Sequence, residues 1–323
     1  MKPIASLSLD LDNKWSYLKT HGDGGWDSYP SYLDLVVPRF LDVLRELDLK
    51  ITVFIVGQDA ALERNHIALA SITQAGHEVG NHSFHHEPWL HLYTDEEIER
   101  ELTSAEEQIE RVTGERPIGF RGPGYSFSPA VLRVLASRGY LYDASTFPTF
   151  LGPIARAYYF FKSRLSSEQK QERKQLFGKT SEGFRPLRPY SWKTPDGPIL
   201  EIPVTTMPVF RVPMHLSYVL YLAQFSRVLA KSYFRFALFL CRLRGISPSL
   251  LLHPLDFLGG DDEPDLSFFP AMQMKGADKV RLVTEVLALF SSKFRVVPMR
   301  EHARAVLGQL AQRAESAPQP TTV

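Results

Sequence analysis

The chain has 323 residues, 44% hydrophobic and 23% charged, with a formal net charge of +1 at pH 7, a balance that suits one large globular domain with insertions. A single cysteine, Cys241, excludes an internal disulfide and a cysteine-built zinc cluster. No apolar run reaches the ~18 uncharged residues of a transmembrane helix, and Asp10 interrupts the N-terminal apolar stretch before a secretory signal core forms, so the expected compartment is the cytoplasm.

The first 145 residues alternate strand and helix. IASLSLDL (4–11) reads as a short apolar strand ending in carboxylates. Residues 33–49 carry helical spacing through Leu33, Val36, Val37, Phe40, Val43, Leu44 and Leu47, and KITVFIV (50–56) reads as a buried strand. A helix is expected over 60–75, stopped by Gly76, and HEVGNHS follows as the next strand and its exit loop. Thr94 to Glu97 is a capping box for a helix that runs to Thr113 and Gly114. RPIGFRGPG is a strand and a tight turn, Ser128-Pro129 opens a helix, and YLYDAST is the next strand. This rhythm predicts an α/β fold with a parallel sheet. Asp10 and Asp12, His82 and His86, Arg121 and Asp143 all fall at C-terminal strand ends, the rim where barrels build active sites.

After Thr146 the rhythm breaks. Residues 148–198 are aromatic and basic with no evident strand, PILEIPV (198–204) returns as a strand, and 207–246 contains an aromatic-rich helix or helix pair. SLLLHPLDF (249–257) is a strand with polar residues at its end, followed by a helix near 276–291, the strand FRVVPM and a last helix. Residues 151–246 hold 16 Lys and Arg against 5 Asp and Glu, a balance of +11 that leaves −10 for the rest. Such a split marks either a segment that meets something anionic or a solvated basic insertion.

His82 and His86, spaced i, i+4, can reach one metal ion from a single turn or a tight strand-exit loop; His77 and His85 compete for that role, and solvated or core histidines share the pattern. Period-2 alternation puts Asp10 and Asp12 on one side of a strand, so that one can ligate a metal while the other serves as base; a charged strand end facing a loop is the alternative. In FRGPGYS, Arg121 can hold a carboxylate and the glycines let a backbone N–H approach a reacting carbonyl, or the segment is a plain turn. His253 follows three leucines and precedes Asp256 by three residues, as a catalytic group or a structural strand end.

In chain order these stretches resemble the five motifs of the polysaccharide deacetylases of the NodB-homology type, carbohydrate esterase family 4. The resemblance covers residues 4–147 and 198–300. It implies a metal-dependent N-deacetylase on a distorted (β/α) barrel. The expected layout is one catalytic domain over residues 1–308, with helical, basic insertions at about 148–198 and 207–246 and a flexible tail over 309–323. By resemblance, SLDLDN makes Asp10 the base and Asp12 a metal ligand, and HSFHH makes His82 and His86 the other ligands. FRGPGY makes Arg121 the partner of Asp10, with the oxyanion donor at the backbone of Gly124 or Tyr125. YDAS makes Asp143 the group that orients the catalytic histidine, and LLH makes His253 the general acid, with Asp256 a second orienting candidate. The expected metal is zinc. The chain departs from the family pattern where one residue separates the two aspartates, where Gly124 stands in place of the usual Tyr, and where Phe147 is the aromatic nearest the place of the usual Trp.

The expected reaction is hydrolysis of an N-acyl amide, acetyl or formyl, on an amino sugar. The composition of 207–246 is that of an interfacial helix beside anionic lipid, or of a cap over the barrel mouth. The first reading makes the substrate a polyprenyl-phosphate-linked or otherwise membrane-borne glycan, met at the inner face of a membrane. No nucleic-acid partner is expected. Two alternatives are a cytosolic hydrolase of a cyclic ureide or imide on the same scaffold, and a non-catalytic glycan- or lipid-binding protein.

Overall fold

Strict alternation in the first strand decides what faces the centre of the molecule. In the computed structural model, which describes residues 2–152 and 180–315, β1 is Ile4–Asp10. Its Ala5, Leu7 and Leu9 join the apolar core beneath the surrounding helices, while Ser6, Ser8 and Asp10 take the other face and its polar contacts. Asn13 then caps α1 (Lys14–His21), accepting from the Lys14 N–H at 2.8 Å, a helix that no periodicity in the sequence announces. The amphipathic α2 (Leu33–Glu46) packs its apolar stripe on the same core and leads to β2 (Thr52–Ile55).

The single helix expected over 60–75 is in fact two, α3 (Gly57–Ala61) and α4 (His66–Gln74), joined by a short 3-10 turn. The break has a local cause: Asn65 Nδ2 donates to the Asp59 carbonyl at 3.0 Å, a side-chain bond that competes with the helical ladder. β3 (Glu78–Asn81), α5 (Asp95–Thr113), β4 (Gly119–Phe120), α6 (Pro129–Ser137) and β5 (Tyr142–Asp143) follow the expected rhythm, and α5 opens with the full capping box.

Within 148–198, where no strand was expected, β6 (Tyr190–Thr194) pairs antiparallel with β7 (Gly197–Glu201). The turn that joins them, Pro195-Asp196 running into Gly197 at φ 119°, is a strong turn signal that the surrounding basic composition masks. The remainder of that insertion, residues 153–179, lies outside the described residues. Segment 207–246 forms a helix pair, α7 (Leu216–Ala223) and α8 (Arg227–Leu243). β8 (Ser249–Leu252), α9 (Gly276–Lys293), β9 (Arg295–Val297) and α10 (Met299–Glu315) complete the chain. Helix α10 thus continues past residue 308 into the expected tail, of which 316–323 lie outside the described residues.

The strands lie in the order β6-β7-β5-β4-β3-β2-β1-β8, parallel except for the β6–β7 hairpin, with β9 added along Ile4–Ser6 of β1. The sheet curls into a half-barrel. Its open side is bridged beyond β7, where the Thr205 N–H donates to the Ser249 carbonyl at 3.0 Å and the Ser249 N–H to Thr205 Oγ1 at 2.8 Å. Phe54, Tyr142, Leu200 and Met299 fill the interior. Parallel strands bring all their C-terminal ends to one rim.

His302 on α10 is fully buried against β1, its Nδ1 2.9 Å from Ser6 Oγ, and burial holds its pKa down to about 4. The folded value lies below the ordinary one near 6.5, so the unfolded chain takes up this proton first as pH falls. The associated stability is intact above about 6.5 and is lost as pH falls toward 4, on the order of 3 kcal/mol at full effect. Urea unfolding at a series of pH values should show this decline, and His302→Gln should make it shallower. An unchanged slope in the variant would show that His302 takes up protons equally in the folded and the unfolded chain.

Candidate active site

Arg121, the first residue past β4, has no solvent exposure, so each polar edge of its guanidinium needs a partner. Nη1 donates to Asp10 Oδ1 at 2.6 Å and to Ser8 Oγ at 2.9 Å, and Nε donates to the Ala144 carbonyl at 3.0 Å. The guanidinium also lies 4.4 Å from the centre of the Phe54 ring. Asp10, at the end of β1, is thereby fixed against a buried positive charge through one of its oxygens.

Two residues on, Asp12 Oδ1 lies 2.9 Å from His86 Nε2 and 3.3 Å from His82 Nε2. The three candidate ligand atoms are all within 4.8 Å of one another. Burial by itself raises the Asp12 pKa, but His86 and His82 outweigh it and hold the carboxyl well below its usual range. For His82 burial works downward, and the Asp10 charge with the Asp12 hydrogen bond and charge raises it past the usual imidazole value. His82 Nδ1 lies 2.6 Å from the Arg121 carbonyl; donation there fixes the tautomer and turns Nε2 toward Asp12. Left-handed backbone at Ser83 (φ 59°) and His86 (φ 54°) coils the exit loop so that the second imidazole returns to the first. Two imidazoles and a carboxylate are a donor set that fits a catalytic zinc ion.

The two competing histidines lie elsewhere. His77 Nδ1 accepts from the Ile51 N–H at 3.2 Å at the start of β3, and His85 pairs with Glu101.

The Gly-Pro-Gly turn is held from β5. The Gly122 N–H donates to Ser145 Oγ at 2.8 Å, and Ser145 Oγ donates to Asp143 Oδ1 at 2.5 Å. A Cβ at Gly122 would stand 1.9 Å from the Ser126 carbonyl oxygen, so only glycine fits. Of the two expected oxyanion donors, Tyr125 has its N–H engaged by the Gly122 carbonyl at 2.9 Å, which leaves Gly124 as the candidate. The Tyr125 ring stacks on Phe147 at 4.8 Å and 21°.

Asp143 is not the group that meets His253. It lies buried beside Glu201 at the end of β7, and its contacts run to the turn through Ser145. Burial raises the pKa of both Asp143 and Glu201, and the Asp143 charge raises Glu201 further, as expected when two buried carboxyls cannot both ionise. Asp256, the second orienting candidate, reaches His253 by two routes. Asp256 Oδ2 accepts from the His253 N–H at 2.8 Å. Ser217 Oγ donates to Asp256 Oδ1 at 2.7 Å and lies 3.2 Å from His253 Nδ1, which donates to it. This relay engages Nδ1 of His253 and leaves Nε2 outside it.

Ser217 and His215 come from the start of α7, inside an insertion that the motifs do not describe. His215 is buried 5.6 Å from His253 and 5.7 Å from Phe147, centroid to centroid. Burial, together with the positive charges of His253 and Arg121, pushes its pKa well down and keeps the ring neutral. Neither residue carries a local sequence signal. Glu201 did: a carboxylate closes the apolar PILE run at the same rim as the others.

A family model described as polysaccharide deacetylase matches residues 23–142, a span that contains His82, His86 and Arg121, while Asp10, Asp12 and His253 join it in space. A peptidoglycan deacetylase of Helicobacter pylori is 32% identical over 148 residues, 44% of this chain and 49% of that protein. A peptidoglycan-N-acetylglucosamine deacetylase of Bacillus cereus is 28% identical over 144 residues, 43% of this chain and 61% of that protein. The matched segment therefore spans less than two thirds of either relative. Among solved structures, a Mycobacterium smegmatis protein classed as a polysaccharide deacetylase shares the fold over 100% of this chain and 94% of its own, with a TM-score of 0.63 at 22% identity.

Proposed function

We propose that this chain, a member of the polysaccharide deacetylase family, hydrolyses an N-acyl amide, acetyl or formyl, on an amino sugar of a glycan. The observation that carries the reading is the convergence of Asp12, His82 and His86 within 4.8 Å, beside the Asp10–Arg121 pair. Asp12, His82 and His86 would hold zinc. When bound, zinc supplies Lewis acidity that polarises the amide carbonyl and makes water a stronger acid.

The side chains account for the proton transfers. Asp10 accepts the proton of the attacking water at the oxygen that Arg121 does not occupy, while Arg121 holds the carboxylate in place. The Gly124 N–H donates to the oxygen on which negative charge develops. His253 delivers a proton from Nε2 to the departing amine, while the Ser217–Asp256 relay holds the ring in place. The amide C–N bond breaks, and the products are a carboxylate and a sugar amine. The neutral His215 ring and the Tyr125–Phe147 stack form an apolar wall beside His253 suited to the sugar or its acyl group.

The finer reading is that the glycan is membrane-borne, on a polyprenyl phosphate or a comparable lipid, and is met at the inner face of the membrane. The aromatic, basic composition of 207–246 supports it.

The test is acyl release. Zinc-loaded protein is offered N-acetyl and N-formyl amino sugars, free and linked to polyprenyl phosphate, with acetate, formate and new free amine measured. Release matched by amine formation supports the reading. Turnover of a cyclic ureide or imide with no release from any sugar would replace it.

The relay makes a separate prediction. Ser217→Ala should lower kcat about tenfold, less than the ~10²–10⁴-fold of a whole general acid, with KM unchanged, since the ring loses its link to Asp256. Ser217→Thr, which keeps the hydroxyl, should restore kcat. A loss that Ser217→Thr does not rescue would leave Ser217 a packing role only.

A further inference from the structure

Helix α8 has apolar side chains on two sides. One side, with Ala230, Phe234, Ala237 and Cys241, is buried in the core and meets α9 through Phe234 and Phe290. The other side points outward: Phe225 just before the helix is 73% exposed, Val228 77% and Leu243 67%, with Phe236 and Phe239 exposed between them. Successive spacings of three, eight, three and four residues, close to whole turns, place these on one stripe. The stripe continues onto the loop that leaves β7 at the active-site rim, where Phe210 lies 6.3 Å from Phe236, ring to ring. That loop holds a β-branched residue, Val209, at φ 75°. It is anchored on both sides by Met207 N–H to the Val212 carbonyl and Arg211 N–H to the Met207 carbonyl, each 2.8 Å. Backbone strain is thus spent on holding Val209 and Phe210 in solvent.

The charges that α8 itself carries are all basic. Arg227 and Lys231 are paired with Asp278 and Glu285 on α9. Arg235, Arg242 and Arg244 are exposed and, among the described residues, have no acidic partner. An apolar ridge flanked by guanidinium groups that have no acidic partner among the described residues matches a layer of acyl chains beneath anionic phosphates. A second copy of this chain packed on the same face would set arginine against arginine. Among the described residues no helix is long and apolar enough to cross a membrane, so the contact is one of lying on it.

We propose that the outer face of α8, together with the Val209–Phe210 loop, docks this protein on an anionic lipid bilayer with the active-site rim toward the surface. The assignment deepens the membrane-borne reading of the substrate and rests on that reading only for its purpose. The test is sedimentation of the full chain with vesicles of phosphatidylglycerol and phosphatidylcholine, and with phosphatidylcholine alone. Binding to the anionic vesicles that weakens with salt is expected. The pair Arg235→Glu with Arg242→Glu, and separately Phe225→Ser with Val228→Ser, should each reduce it by about tenfold or more, with thermal unfolding and acyl release from a free sugar unchanged. Absence of binding by the full chain, or equal binding by both variants, would overturn the proposal. So would a concentration-dependent dimer that the Phe225→Ser pair dissolves in the absence of vesicle binding. Vesicle binding without acyl release from any sugar would keep the docking face and remove the deacetylase reading; acyl release without vesicle binding would do the reverse.

Discussion

Asp12→Ala should leave a folded protein that no longer retains zinc and no longer releases acyl groups. Among the described residues Asp12 is the one carboxylate that both imidazoles approach, and it is held ionised, against its burial, by those two rings. Losing even an outer hydrogen-bond partner of a zinc ligand costs ~10–100-fold in affinity, so loss of a direct ligand should exceed about a hundredfold. Metal analysis after gel filtration reads this directly. His85→Ala is the control, since His85 pairs with Glu101 and should leave zinc content unchanged. Full zinc retention by Asp12→Ala would refute the ligand assignment whatever happened to activity.

His253→Ala should show the complementary pattern, with zinc retained and turnover reduced by ~10²–10⁴-fold, the usual contribution of a general acid. An amine leaves poorly as an anion, so the deficit belongs in kcat rather than in KM. Ser217→Ala should fall between this variant and the unaltered protein, because it removes the link to Asp256 and keeps the imidazole. A His253→Ala variant that lost only a few-fold would move the proton donor elsewhere.

The site residues that could be read in the sequence share one property: each ends a strand. Asp10, His82, Arg121 and His253 close or directly follow short strands, and a parallel sheet brings such positions to one rim whatever the details of the loops. What a strand end does not reveal is its partner. Asp143 stands where an orienting aspartate was expected, yet it turns to Ser145 and Glu201, while the histidine is served from its own loop by Asp256 and from an insertion by Ser217. Ser217 could not be found in this way, since one serine in an aromatic helix has no periodicity or spacing that sets it apart. The fold shows the same division. The βα rhythm to residue 145 depends on local pattern, whereas the β6 strand was hidden by its basic surroundings although Pro195-Asp196-Gly197 marked its turn. The split of the 60–75 helix depends on the Asn65 contact with Asp59, which is visible only once the chain is folded.

If Asp12, His82 and His86 hold a metal that makes this site an amide hydrolase, with Asp10 as its base, then turnover needs both the ion and that carboxylate. The most direct measurement is acetate release from an N-acetylated amino-sugar oligomer by chelator-stripped protein, before and after one equivalent of zinc, with Asp10→Asn in parallel. The account predicts no release from the stripped protein, recovery on adding zinc to the unaltered chain, and full zinc binding with almost no release in Asp10→Asn. Equal release with and without metal, or undiminished release by Asp10→Asn, would contradict it.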